Sequence, residues 1–191
     1  MPMRVVIAED EWLVATALRR QVELHGYEVT GTVGTGTEAV ALCRAERPDV
    51  VLMDIQMPEM DGLEATRSLM EEHPTCVVIV TGRAKQERAA EQVGAMRYVL
   101  KPLLGSQIPS LVESAQQRFG WFMAIREGSL DLEETMLTWL AVQQAMKVLV
   151  DRERLLDGTA FARLQQRAAE QDESLRATAE AVLREYGEGE G

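Results

Sequence analysis

Residues 50–61 read VVLMDIQMPEMD. Four apolar side chains in a row end on a carboxylate, Asp54, and a Met-Pro turn follows at once. A strand covered on only one face alternates apolar and polar residues, so an unbroken run is the mark of a strand buried on both faces. Asp54 then stands where such a strand leaves the sheet.

Working outward, similar runs occur at RVVIA (4–8), YEVTGTV (27–33), VVIVT (77–81) and RYVL (97–100). Between and after them, segments near 11–25, 35–47, 61–72, 83–93 and 106–119 carry apolar residues at helical three-and-four spacing. Five strand–helix units of this kind predict an α/β fold, a doubly wound parallel sheet with helices on both faces. The most continuously apolar strands, ending at Ala8 and Met53, belong in its centre. In a sheet of order 2-1-3-4-5, the flavodoxin-like order, ligands bind at the switch point beside strands 1 and 3.

That placement brings Glu9 and Asp10, directly after the first strand, beside Asp54 after the third. Carboxylates ~4 Å apart repel by about 4 kcal/mol per pair at an effective dielectric near 20. A positive charge is therefore expected among them. A hard divalent ion such as Mg2+ suits a few carboxylates and waters on a shallow rim. Lys101, after the fifth strand, reaches the same edge in this arrangement, and Thr81, closing the fourth, adds a hydroxyl.

Such a set is suited to accepting a phosphoryl group. Asp54 would be the nucleophile. Asp10 and Asp54, with Glu9 through water, would hold the metal against the charge of the transferring group. Lys101 and Thr81 would contact its remaining oxygens. A Mg2+-dependent hydrolase is disfavoured, because no second acid follows Asp54 at DxD spacing and Met57 and Pro58 occupy that turn.

The 191 residues suit one domain of ordinary size and a smaller appendage. A formal charge of −11 argues against indiscriminate polyanion binding and gives no reason to expect DNA as a partner. No apolar run nears the roughly 18 residues needed to cross a bilayer, and MPMRVVIAED lacks the pattern of a signal peptide. A soluble, cytoplasmic protein without membrane attachment is the expectation. Cys43 and Cys76 stand far apart without metal-ligand spacing and read as buried free thiols. His25 and His73 fall at helix ends. The glycine-rich GTVGTGTEA (31–39) has neither phosphate-loop pattern and reads as a loop before the second helix.

From FGWFMAIREGS onward, where Gly120, Gly128 and Ser129 interrupt the pattern, no strand signal returns. Three helices are predicted near 130–152, 159–171 and 174–186, capped at Ser129 and Ser174, with Gly158 and Gly187 as punctuation. Leu132, Met136, Trp139, Met146 and Val150 form a four-three stripe with Gln143 as its polar exception. The stripe reads either as a dimer seam or as the face that packs on the two shorter helices.

On these residues, the first 125 or so resemble the receiver domain of two-component response regulators. The acidic pair is Glu9 and Asp10, the phosphoacceptor stretch DIQMPEMDG starts at Asp54, the hydroxyl is Thr81 and the Lys-Pro is Lys101-Pro102. The resemblance implies a non-enzymatic signalling protein with a sensor histidine kinase as phosphodonor. It also implies Mg2+ with the backbone carbonyl of Gln56 as a further ligand, and a cis peptide at Lys101-Pro102. Tyr98 matches the family's switch aromatic, coupled to Thr81, and Gly82 its small residue beside the phosphate.

The tail, within 126–191, is similar to the ANTAR module, a three-helix RNA-binding output of transcription antiterminators. The matching stretches are AMKVLV (145–150), AFARLQQRA (160–168) and SLRATAEAVL (174–183). This implies dimerisation on phosphorylation and binding of RNA stem-loops. The chain departs from the pattern at Ala145, Met146 and Lys147, which replace a glycine-containing turn, and at the acidic EQDES (170–174). The candidate RNA-contacting cations are Lys147, Arg152, Arg154, Arg163, Arg167 and Arg176. The competing expectation is a tail that has lost its RNA face and acts on a protein partner.

Overall fold

The computed structural model describes residues 1–128 and 131–187. The chain divides into two compact units, Met1–Trp121 and Phe122–Gly191. The first is a parallel sheet of five strands in the order β2-β1-β3-β4-β5. Its strands are β1 (Arg4–Ala8), β2 (Glu28–Val33), β3 (Val50–Met53), β4 (Val77–Thr81) and β5 (Arg97–Leu100).

The apolar runs settle which strands are central. Every residue of β3 and β4, and all but the first of β1, is buried. β5, at the sheet's edge, has half-buried or exposed side chains throughout. Register aligns the strand ends, with Ala8 opposite Met53 and Thr81 opposite Leu100.

The helices of this unit are α1 (Trp12–Leu24), α2 (Gly36–Glu46), α3 (Gly62–Glu72), α4 (Glu87–Gln92) and α5 (Ile108–Glu127) as far as Trp121, the rest of α5 belonging to the second unit. Two of them start at side-chain caps that satisfy free amides of the first turn. Thr35 Oγ1 accepts from the Glu38 amide at 3.1 Å, and one Asp61 oxygen accepts from both Leu63 and Glu64 at 2.8 Å. His25 and His73 are the C-terminal caps of α1 and α3, as their positions predict. Cys43 and Cys76 are free and buried, and burial pushes both thiols up to about 12.

Three details differ from the sequence reading. α4 has only six residues and begins at Glu87 rather than near 83, because Lys85 sits at φ 97°, which no helix can pass through. Gly120 lies inside α5, which runs on to Glu127. Gly158 falls in the first turn of α7 (Asp157–Gln171) instead of between helices.

The second unit holds α6 (Leu132–Glu153), α7 and α8 (Leu175–Gly187). Asp131 caps α6 through the Glu133 amide, and Ser174 caps α8 through the Ala177 amide at 3.1 Å. The expected cap at Ser129 lies outside the described residues. From the predicted stripe, Trp139, Gln143 and Met146 are buried, whereas Leu132, Met136 and Val150 are half-buried. The wholly buried face of α6 also includes Thr135, Val142, Ala145 and Leu149, and α6 packs against both α7 and α8. Phe122 meets Trp139 edge to face with ring centroids 6.1 Å apart. Among the described residues no helix is long and apolar enough to cross a membrane.

Candidate functional site

Backbone hydrogen bonds carry the ladder past the strand ends and fix where the polar residues emerge. The Asp54 amide donates to the Ala8 carbonyl at 2.8 Å, and the Glu9 amide to Val33 at 2.9 Å. The Lys101 amide donates to Thr81 at 2.8 Å. These bonds bring Glu9, Asp10, Asp54 and Lys101 to one edge of the sheet.

One carboxylate oxygen from each of Glu9, Asp10 and Asp54 lies within 4.8 Å of the others. Glu9 and Asp54 are buried, 3% and 5% exposed, while Asp10 faces solvent. The Lys101 ammonium bridges the buried pair, 2.6 Å from Glu9 Oε2 and 3.0 Å from Asp54 Oδ2. The other Asp54 oxygen accepts from the Ile55 amide at 2.7 Å.

Burial disfavours the Glu9 carboxylate and holds its pKa above the ordinary value, against the opposing pull of Lys101. Burial likewise works against the Lys101 charge, but Glu9 and Asp54 together outweigh it and keep this ammonium above the ordinary lysine value. With three acids against one cation, the edge remains short of positive charge. An all-oxygen set with one solvent-facing member fits a hard divalent ion that retains several waters.

Thr81 is buried, and its hydroxyl accepts from the Arg83 amide at 3.3 Å. The half-buried Tyr98 donates its hydroxyl to the Arg83 carbonyl. Thr81 and Tyr98 thus grip the same residue, Arg83, a link that the sequence pattern does not reveal. An added Cβ at Gly82 would meet open space. Gln56 lies exposed on the loop after Asp54, and Lys101-Pro102 is a cis peptide. Trp12, two residues past Asp10, is 73% exposed.

Gly62 is a residue that spacing alone does not single out. A Cβ there would stand 1.9 Å from the Asp54 carbonyl oxygen, so α3 can start this close to the acid only at a glycine. The Asp-Gly step before an apolar helix is the one hint in the sequence.

The six tail cations form no comparable cluster. Arg163 Nε lies 3.6 Å from Glu153, Arg167 pairs with Glu185 at 3.0 Å, and Arg176 with Glu180 at 2.9 Å. Lys147, Arg152 and Arg154 are exposed.

Comparison with known proteins adds to this geometry. The response regulator receiver domain family matches residues 5–113. The chain is 32% identical over 189 residues to the transcriptional regulatory protein PdtaR of Mycobacterium tuberculosis, covering 98% of this chain and 92% of that one. It is 39% identical over 134 residues to protein-glutamate methylesterase/protein-glutamine glutaminase 3 of Pseudomonas aeruginosa, covering 65% of this chain and 40% of that one. Among solved structures, it is similar to the receiver domain of a modulated diguanylate cyclase from Desulfovibrio desulfuricans. There the TM-score is 0.59 at 30% identity, over 63% of this chain and 98% of that one.

Proposed function

The chain belongs to the response regulator receiver family, and from that premise we propose that Asp54 accepts a phosphoryl group and thereby controls the helical tail. The observation that carries this reading is the Lys101 bridge between Glu9 and Asp54, with Asp10 open to solvent beside it.

An Asp54 oxygen attacks the phosphorus of a phosphohistidine on a sensor kinase. The nitrogen–phosphorus bond breaks and the imidazole leaves with a proton. Glu9, Asp10 and Asp54, with the Gln56 carbonyl, would hold Mg2+, which supplies charge neutralisation for the transferring oxygens. Lys101 binds one of those oxygens, and the Thr81 hydroxyl turns from Arg83 to another. Because Tyr98 also holds Arg83, that turn is passed to β5, which makes Thr81 and Tyr98 the switch pair.

The chain is, in this reading, a cytoplasmic signalling protein rather than an enzyme, and its phosphoryl group leaves by hydrolysis. Purified protein incubated with Mg2+ and labelled acetyl phosphate should take up label, and Asp54→Ala should abolish uptake. Equal labelling of the variant refutes the assignment.

For the output, the reading is an ANTAR-type module that dimerises after phosphorylation and binds RNA stem-loops, acting in antitermination. It is supported by the three-helix tail and by similarity, across nearly the whole chain, to a transcriptional regulatory protein. Lys147, Arg152, Arg154, Arg163, Arg167 and Arg176 would supply the contacts. Stem-loop binding at low salt should appear with beryllofluoride and Mg2+, and its absence there removes the RNA part.

One observation favours a second reading, in which the tail recruits a protein. Arg163, Arg167 and Arg176 already face carboxylates of their own module. Charge reversal of Arg152 and Arg163 separates the two, since only RNA binding depends on them.

A further inference from the structure

We propose that Gly36 is a positioning residue for the Asp54 site. From the first turn of α2, it fixes the height of the loop between Asp54 and Asp61. The proposal rests on the reading of Asp54 as phosphoacceptor and names what holds that acid in place.

The Gly36 amide donates to the Met60 carbonyl at 3.1 Å. A Cβ at Gly36 would lie 2.4 Å from that same oxygen, and 3.0 Å from the Met60 carbonyl carbon and Cβ. The glycine is needed here for space, and the atoms it meets are largely backbone. On the loop's far side, a Cβ at Gly62 would stand 1.9 Å from the Asp54 carbonyl oxygen.

Between these two glycines the loop is tied to itself. Met60 donates its amide to Pro58 at 2.8 Å, Met57 to Ile55 at 3.2 Å and Gly62 to Ile55 at 2.9 Å. Glu59 between them sits at φ 66°, a left-handed conformation that a non-glycine residue adopts rarely. A loop braced in this way transmits a push instead of absorbing it. Displacement at Met60 therefore reaches Ile55, whose amide holds an Asp54 carboxylate oxygen at 2.7 Å. The path from Gly36 to the reacting acid consists of hydrogen bonds and backbone contacts.

Alanine ordinarily favours a helix over glycine. At Gly36 that gain opposes a displaced loop, so site function and helix stability should move apart. Gly31 provides the control. A Cβ there has its three nearest neighbours in the Leu42 side chain on α2, the closest at 2.4 Å, whereas one at Gly36 meets Met60.

The test uses the full chain as wild type, Gly36→Ala, Gly31→Ala and Met60→Gly. Three quantities are read: the Ile55 and Gly62 amide resonances without metal, the Mg2+ dissociation constant by calorimetry, and phosphoryl uptake from acetyl phosphate at saturating Mg2+. Gly36→Ala should shift both resonances and weaken Mg2+ binding roughly tenfold, the scale of losing support behind a ligand. Uptake should slow about tenfold or more, as misplacement near 1 Å does. Gly31→Ala should stay within about twofold of wild type on binding and uptake, a change too small to count as lost positioning. Met60→Gly, which frees the loop without adding an atom, should weaken Mg2+ in the same direction as Gly36→Ala.

Unshifted Ile55 and Gly62 with unchanged Mg2+ affinity in Gly36→Ala overturns the proposal. If that variant does not fold, Met60→Gly decides, and wild-type Mg2+ affinity there overturns it equally. A wild-type protein that takes up no label sinks the phosphoacceptor reading instead, while the resonances and Mg2+ affinities still judge Gly36.

Discussion

The ammonium of Lys101 sits between two buried carboxylates, 2.6 Å from Glu9 and 3.0 Å from Asp54. Removing one partner of a buried charge cluster leaves the others uncompensated, which is far more disruptive than never having had the pair. Lys101→Met should therefore lower metal-free stability by about 2–3 kcal/mol. Urea denaturation should show that loss, and Mg2+ should restore part of it. Equal stability of variant and wild type without metal would mean that the bridge is not formed in solution.

Glu9 gives a pH dependence of definite sign. Its pKa is raised in the folded state from an ordinary 4.5, so the native protein holds this proton more tightly than the unfolded chain does. The stabilisation from that proton is full below about 4.5 and is lost as pH rises through the folded value. Without metal, wild type should gain stability over Glu9→Gln as pH falls toward 4.5. A stability difference between the two that does not vary with pH contradicts the raised value.

Tyr98→Phe deletes the hydroxyl held by the Arg83 carbonyl. A hydrogen bond of this kind contributes about 1 kcal/mol. The larger consequence should be local, with faster amide exchange across residues 82–86 and unchanged exchange in β3.

Asp61 caps α3 by accepting from both the Leu63 and Glu64 amides. Asp61→Ala should cost about 1 kcal/mol in urea denaturation and Asp61→Asn distinctly less, because asparagine caps nearly as well. Identical losses would assign the effect to charge and not to the cap.

Both cysteines are buried, with thiols pushed up to about 12. The thiolate is the reactive form, so neither should react with Ellman's reagent at pH 8 until the protein unfolds. Fast labelling of a thiol in the native protein would show that the packing of α2 around Cys43, or the chain entering β4 at Cys76, opens readily.

The sheet was legible because its strands differ so sharply in composition from their surroundings. VVLM and VVIVT are too short and too continuously apolar to be surface helices, and their burial on both faces follows. The acids and Lys101 were legible for the same reason, since each lies immediately past a strand whose end the apolar run marks. The start of α4 was not, because Lys85 takes a left-handed backbone conformation that a residue other than glycine seldom signals in sequence. Gly120 reads as a breaker, but it lies within the long α5, where a single glycine costs about 1 kcal/mol, too little to end a helix of 20 residues. Gly36 and Gly62 matter through contacts across space, with Met60 and with the Asp54 backbone, and no periodicity encodes those. In α6 the four-three stripe gave only part of the inward face, since Thr135, Val142, Ala145 and Leu149 are buried as well.

Trp12, two residues past Asp10 in the chain, is largely open to water, whereas Trp121 is half-buried and Trp139 fully enclosed. An indole placed so near Asp10 gives the molecule a built-in optical gauge. Its emission should respond when charge arrives among the three acids, and the colour of that light, as well as its strength, would report how much water remains around the ring.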